Sequence, residues 1–121
     1  MRDALQILLG LGEAGLEEKD FEIKRLSRLA KEPVVFRLRG IGYSRVEEIR
    51  KLTEGQEIQI LLAGTREPNW KDKELLEKYG AISPAEAIQK VLLPGEIEDL
   101  SREVERLSGY RTRTIAEIKK N

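Results

Sequence analysis

The sequence predicts an α+β fold: a mainly helical single domain in which one small antiparallel β-hairpin, about residues 21–41, packs on a helical C-terminal half. Three observations carry this expectation. From Glu67 to Tyr110, three helix-shaped segments follow one another, each with its own start and stop residues. From Phe21 to Ile41, two stretches alternate apolar and charged residues with a period of two. At 121 residues the chain has the length of one domain, and with 5% aromatics its core must be mainly Leu, Ile, Val and Ala. The domain expectation is therefore 1–121, with 1–16 a helical arm and 111–121 a flexible tail.

Asp3 to Leu11 reads as a short helix, with Ala4, Ile7, Leu8 and Leu11 on one face and Leu5 and Leu9 widening it. So short a helix must dock on something. The favoured reading is a terminal helix that closes the protein's own core; the alternative is an arm that docks on a partner or a neighbouring copy. Gly10, Gly12 and Gly15 then break it.

Phe21 and Ile23 share one face of the first strand of the hairpin, and Val34, Phe36 and Leu38 one face of the second. Ala30 to Pro33 supplies the turn. A helix over 21–29 is the open alternative, because Leu26 and Leu29 also suit a 3.6-residue period. Ser44 and Glu47 form a capping box for a helix through Leu52. Thr53 and Gln56 repeat it for a helix through Leu62, stopped by Gly64. Ile58, Ile60 and Leu62 would equally suit a strand. Gly40 and Gly42 read as a strand-to-helix turn, since a phosphate loop would need further glycines and a lysine.

Asn69 or Asp72 caps a helix running to Tyr79 and ended by Gly80, with Trp70 stapling its start onto the core. Ser83, Pro84 and Glu86 give the clearest start signal: Ser83 at N-cap, Pro84 at N1, and Glu86 completing a capping box. Pro94 forces Leu93 out of the helical region and so ends that helix. The last long helix places Ile97, Leu100, Val104 and Leu107 on one face, and Gly109 closes it. Arg111 to Asn121 is either a short frayed helix or a tail that orders on binding.

The charges narrow the function. Lys plus Arg and Asp plus Glu both number 22, so formal net charge is zero. Duplex binders usually carry a basic face, and anionic membranes select one too; neither nucleic acid nor membrane is expected as a partner. The basic group Lys24, Arg25, Arg28, Lys31, Arg37 and Arg39 lacks interleaved aromatics and reads as a solvated face. Balanced charge permits self-association. The chain has no His and no Cys, which removes the commonest general base, thiolate and transition-metal ligands. Paired acids such as Glu96 and Asp99 sit among cations at helix-surface spacing. The expectation is a protein that is not an enzyme, with no cofactor and no metal. No apolar run approaches the length of a membrane span, and the N-terminus lacks a signal peptide's basic start, so a cytoplasmic location is expected.

One pattern is more specific. Thr65 to Trp70, Leu75, Tyr79-Gly80, Pro84, Glu86, the run Leu92 to Ile97, Leu100, Val104 and Leu107 to Tyr110 resemble the XkdN-like family of phage tail assembly chaperones. Upstream, Lys24-Arg25 and Pro33 to Arg39 are similar in outline. The resemblance implies a non-catalytic helper that binds the tape measure protein, assists recruitment of tail tube protein in the cytoplasm of the host bacterial cell, and is absent from the mature virion. It supplies no catalytic residues. The apolar stripes themselves nominate Leu5, Leu8, Leu9, Leu92 and Leu93 as partner-binding residues. The competing readings are a small helical DNA-binding regulator, which needs a basic recognition face, and a metal- or Lys-dependent enzyme, which needs a pocket of perturbed carboxylates.

Overall fold

Alternation along Val35–Arg39 sets the sheet: Phe36 and Leu38 are buried while Val35 and Arg37 face out. In this computed structural model, which describes residues 2–12 and 15–119, that strand, β2, is the middle of a three-stranded antiparallel sheet. Strand β1, Glu18–Glu22, pairs with it from Glu18 opposite Arg39 to Glu22 opposite Val35. Strand β3, Thr65–Glu67, pairs on the other side, with an irregularity between Arg37 and Leu38. This third strand had no alternating pattern to announce it.

The α+β class and the antiparallel pairing of β1 with β2 are as expected, but the hairpin differs in its first arm. The strand lies at 18–22, and Lys24–Ala30 is a helix, α2, inside the connection. The helical alternative prevails because Lys, Arg, Leu and Ala are good helix formers, and because Arg25 and Leu26 on this helix find partners in the body. Ser27 Oγ accepts the Val34 N–H at 2.9 Å, and the Ile23 N–H donates to the Val34 carbonyl at 3.0 Å, closing the connection.

Four helices follow the sheet's first two strands: α3, Tyr43–Arg50; α4, Gln56–Gly64; α5, Lys73–Tyr79; and α6, Pro84–Val91. The longest, α7, spans Pro94–Leu107, and a short α1, Ala4–Gly10, precedes everything. The capping boxes expected at Ser44 and Thr53 do not form. Gly42 and Gly55 occupy those N-caps, and Gln56 instead donates to the Leu52 carbonyl at 2.8 Å. Farther on the caps fall where the sequence puts them. Asp72 accepts the Leu75 N–H at 3.0 Å, Gly80 ends α5 at φ 60°, and Ser83 accepts the Glu86 N–H at 3.1 Å. The Glu86 carboxylate pairs with Lys90 rather than reaching back to Ser83.

One core joins these pieces. Ile88 from α6, Leu61 from α4, Ile97, Leu100, Val104 and Leu107 from α7, and Phe36 and Leu38 from the sheet are all buried. Trp70 is buried with them, its ring set edge-on to Phe36 with centroids 5.6 Å apart. Two glycines set how closely the layers approach. A Cβ on Gly64 would lie 2.5 Å from Val104 Cγ2 and 2.9 Å from the Arg39 carbonyl oxygen. A Cβ on Gly40 would lie 2.7 Å from the Leu107 carbonyl carbon. Gly64, expected as a stop beyond α4, is thus its last helical residue and the point where α4 meets α7. Ser108 fastens the same corner: its Oγ accepts the Ile41 N–H at 2.8 Å and donates to the Val104 carbonyl at 2.7 Å.

Candidate partner-binding surfaces

Three features outside the core could meet another molecule. The first is a groove between α2 and the start of α7. Leu93 is the hinge of that region: it takes an extended conformation, φ −73° and ψ 153°, and Pro94 opens the next helix. The Leu93 N–H is accepted by Glu96 Oε1 at 2.7 Å, so the first turn of α7 is capped from within. Arg25 then reaches across from α2. Its Nε donates to Glu96 Oε2 at 3.0 Å and its Nη2 to Glu96 Oε1 at 2.9 Å, while Nη2 also donates to the Val91 carbonyl at 2.9 Å. This fork is the bidentate geometry that suits Arg and carboxylate. It holds the Glu96 carboxyl below its ordinary range, chiefly through the Arg25 hydrogen bond against an opposing effect of burial, with the Leu93 N–H adding to the lowering.

Around this pair the groove has a volume of about 500 Å³. Ile23, Leu93 and Leu100 give it apolar ground, Lys24 and Arg28 one charge sign, and Glu22 and Asp99 the other. The second feature is smaller, about 120 Å³, between α3, α4 and the end of α7, lined by Ile41, Val46, Ile49 and Ile60. Arg50 stands over the Tyr110 ring there, 5.6 Å from its centroid.

The third feature is α1. Asp3 caps it, accepting the Gln6 N–H at 2.9 Å, and Gln6 returns the favour to the Asp3 N–H at 3.2 Å. Yet the helix buries none of its residues. This corrects the favoured reading of the N-terminal stripe: it does not close the protein's own core, because the sheet and α4, α6 and α7 already fill that core. Leu5, Ile7, Leu8, Leu9 and Leu11 are between 42% and 77% exposed. Together they leave uncovered about three aliphatic side chains' worth of surface, whose full burial would contribute on the order of 5–9 kcal/mol.

The five nominated residues therefore divide. Leu5, Leu8 and Leu9 lie exposed on α1, and Leu93, 51% exposed, lines the groove. Leu92 is 4% exposed and belongs to the core, so no partner can reach its side chain. The reason is the turn between α6 and α7: adjacent residues in extended backbone point to opposite sides. Arg25 and Glu96, which shape the groove, were missed; the only signal was a carboxylate at N3 of a helix opened by Pro94, and nothing local named its distant partner.

For chemistry the surface offers little convergence. Arg37 pairs with Asp20 at 3.0 Å and Glu67 at 3.8 Å, and Arg66 with Glu18 at 3.1 Å. Arg102 pairs with Glu98, and Arg106 with Glu103. Of the basic group read as a solvated face, Arg37 and Arg25 are ion-paired, with Asp20 and Glu96. Among the described residues no group of three or more carboxylates is placed to hold a metal ion, and no helix is long and apolar enough to cross a membrane.

This arrangement of helices on a short antiparallel sheet occurs in a solved protein. The crystal structure of the protein yqbn, a structural genomics target, superposes with a TM-score of 0.63, covering 83% of this chain and 92% of that one at 23% identity. That likeness establishes a shared fold. No curated protein matches the chain. The sequence model of the phage XkdN-like tail assembly chaperone proteins matches residues 53–120, from the approach to α4 through α7 and into the C-terminal segment. The match spans more than half of the chain, and the protein belongs to that family of phage tail assembly chaperones.

Proposed function

We propose that the protein is a non-catalytic helper in the cytoplasm of the host bacterium, that it binds the tape measure protein of the phage tail and assists addition of tail tube protein, and that it leaves before the virion is complete. The family match over 53–120 carries this reading. The α2–α7 groove supports it. An apolar floor flanked by both charge signs suits one face of a long amphipathic helix, the helix-in-groove mode of recognition. Leu93 is the anchor there, with Arg28 and Asp99 matching charges on the rod. Repeated along such a rod, many copies would shield its apolar stripe from aggregation.

The test is co-expression of the full chain with the tape measure product. The expected result is a soluble complex holding several copies of the chain per rod. The wild-type chain should capture the rod at least tenfold better than a Leu93→Glu variant of equal stability. A tape measure product that stays insoluble, or elutes free of the chain, overturns the proposal.

A further inference from the structure

The groove between α2 and α7 is more than a helix-sized hollow, because its free charges stand in order along it. With the groove read, as above, as the site for a rod-like helix, we propose that it selects a partner helix whose facing side runs from acidic through apolar to basic residues. That order fixes the direction in which the helix lies.

The hollow extends past the Arg25–Glu96 pair at both ends. Toward the C-terminus of α7 it opens into a further space of about 290 Å³ beside Phe21, Asp99 and Glu103. Along α2 it opens into about 450 Å³ beside Lys24, Arg28 and Pro33. Glu22, at the end of β1, borders all three spaces. The α7 wall runs from Leu93 to Arg106, about 20 Å, and matches a little under four turns of a helix laid along it.

The charges that line this trough fall into two sets. Some are satisfied within the protein: Arg25 by Glu96 at 2.9 Å, and Arg106 by Glu103. Others are exposed and, among the described residues, have no ion-pair partner: Lys24 and Arg28 on α2, Glu22 on β1 and Asp99 on α7. Lys24 and Arg28 are four apart and share one side of α2. They stand at one end, Asp99 at the other, with Glu22 between. Leu93, half exposed, is the apolar anchor, and the half-buried Phe21 is a second one farther along.

A helix fits when its acidic residue faces Lys24 and Arg28, its apolar residue Leu93, and its basic residue Asp99. A face of a single charge sign meets attraction at one end and repulsion at the other. Exposed ion pairs are individually weak, so selectivity comes from the whole set. An added strand is the other way to fill a space beside an edge strand. Four of the five residues of β1 are charged, however, which is how an open edge resists further pairing.

Fluorescence anisotropy with the full chain and three dye-labelled synthetic helices tests this. Each is Ala-rich and about 20 residues long, so that it is helical in water, and carries the same two leucines one turn apart. They differ only in the flanking residues: glutamates before and lysines after the leucines, glutamates on both sides, or lysines on both sides. The mixed peptide should bind about tenfold tighter than either single-sign peptide, and a proline between its leucines should abolish binding. In a chain carrying Lys24→Glu and Arg28→Glu, with its urea midpoint checked against wild type, the preference should move to the lysine-only peptide. Because the chain has no cysteine, direction is read by disulfide trapping. A cysteine at the glutamate end of the mixed peptide should join Glu32→Cys, beside Lys24 and Arg28, and not Arg102→Cys at the opposite end. Equal binding of the three peptides, binding of none up to about 500 μM, a proline peptide that binds undiminished, or trapping at both ends overturns the proposal. Peptide preferences as expected, with no capture of the tape measure product, sink the function proposed above and leave the groove's selectivity standing. Capture of that product with no charge preference among the peptides does the reverse.

Discussion

Replacing Gly64 with alanine tests the claim that α4 and α7 are held at a distance only glycine permits. The added methyl would overlap both branches of the Val104 side chain, one of them at 2.5 Å, and crowd the Arg39 carbonyl at 2.9 Å. Neither neighbour yields easily: a β-branched side chain is stiff at χ1, and the carbonyl belongs to the pairing strand β2. Overpacking of this kind costs about 1–3 kcal/mol. Alanine regains at most ~1 kcal/mol of helix propensity, and less at a helix end. The expected net loss is about 2 kcal/mol, a substantial part of the 5–15 kcal/mol typical of a domain.

Trp70 provides the assay. It is the only tryptophan, it is buried against Phe36, and its fluorescence reports urea unfolding of the shared core. Val104→Ala alone leaves a cavity and should lose roughly 2–3 kcal/mol. Combined, the two changes should partly cancel, because the methyl at 64 occupies space that Val104 vacates; a favourable coupling of about 1–2 kcal/mol is expected. A stabilised Gly64→Ala, or a double variant whose losses simply add, would refute the close approach.

Three further outcomes follow from named contacts. Glu96→Gln should lower the urea midpoint at pH 7, since it removes the charge that Arg25 grips with two hydrogen bonds. The Glu96 carboxyl is held below its ordinary value, so the folded chain takes up that proton less readily than the unfolded one. Its contribution is complete above the ordinary carboxylate range and drains away as pH falls through the lowered value. Acid titration of the unfolding free energy should therefore be flatter in the variant. Leu92→Asp should unfold the chain in circular dichroism, whereas Leu93→Asp should change stability by less than about 0.5 kcal/mol, because Leu92 is buried and Leu93 half exposed at the N-cap of α7. Ser83→Ala should cost about 1 kcal/mol in the same urea assay through loss of the α6 cap.

The helical C-terminal half was legible because its signals are local. Asp72, Gly80, Ser83 and Pro94 each act on backbone groups within a turn of themselves, so sequence distance and spatial distance coincide. Where a neighbour far along the chain decides, the pattern misleads. Residues 21–29 satisfy two periods at once, and what selects helix from Lys24 on is contact with the body at Leu26 and Arg25, the latter gripping Glu96, 71 positions away. Strand β3 has three residues, too few for any period to show, and exists because β2 presents an open edge to the chain leaving α4. The Ser44 and Thr53 boxes were sound motifs that lost to glycines two residues off, which entered the N-cap without a side chain to place.

Glycine shows why the binding surface was harder to read than the fold. Gly40 and Gly64 are required by what lies against them, whereas Gly10, Gly12 and Gly15 have no such neighbour among the described residues. In the sequence these are the same letter beside the same apolar stripes. Periodicity says that the leucines of α1 must be covered; it does not say by whom. The two cases separate only once each glycine's surroundings are known. A glycine with a neighbour at its missing methyl marks an interior contact already made. A glycine with no described atom near its missing methyl, as at Gly10, Gly12 and Gly15, marks no interior contact. By that criterion Gly64 and Val104 mark an interior contact, and the exposed leucines of α1 lie outside the core.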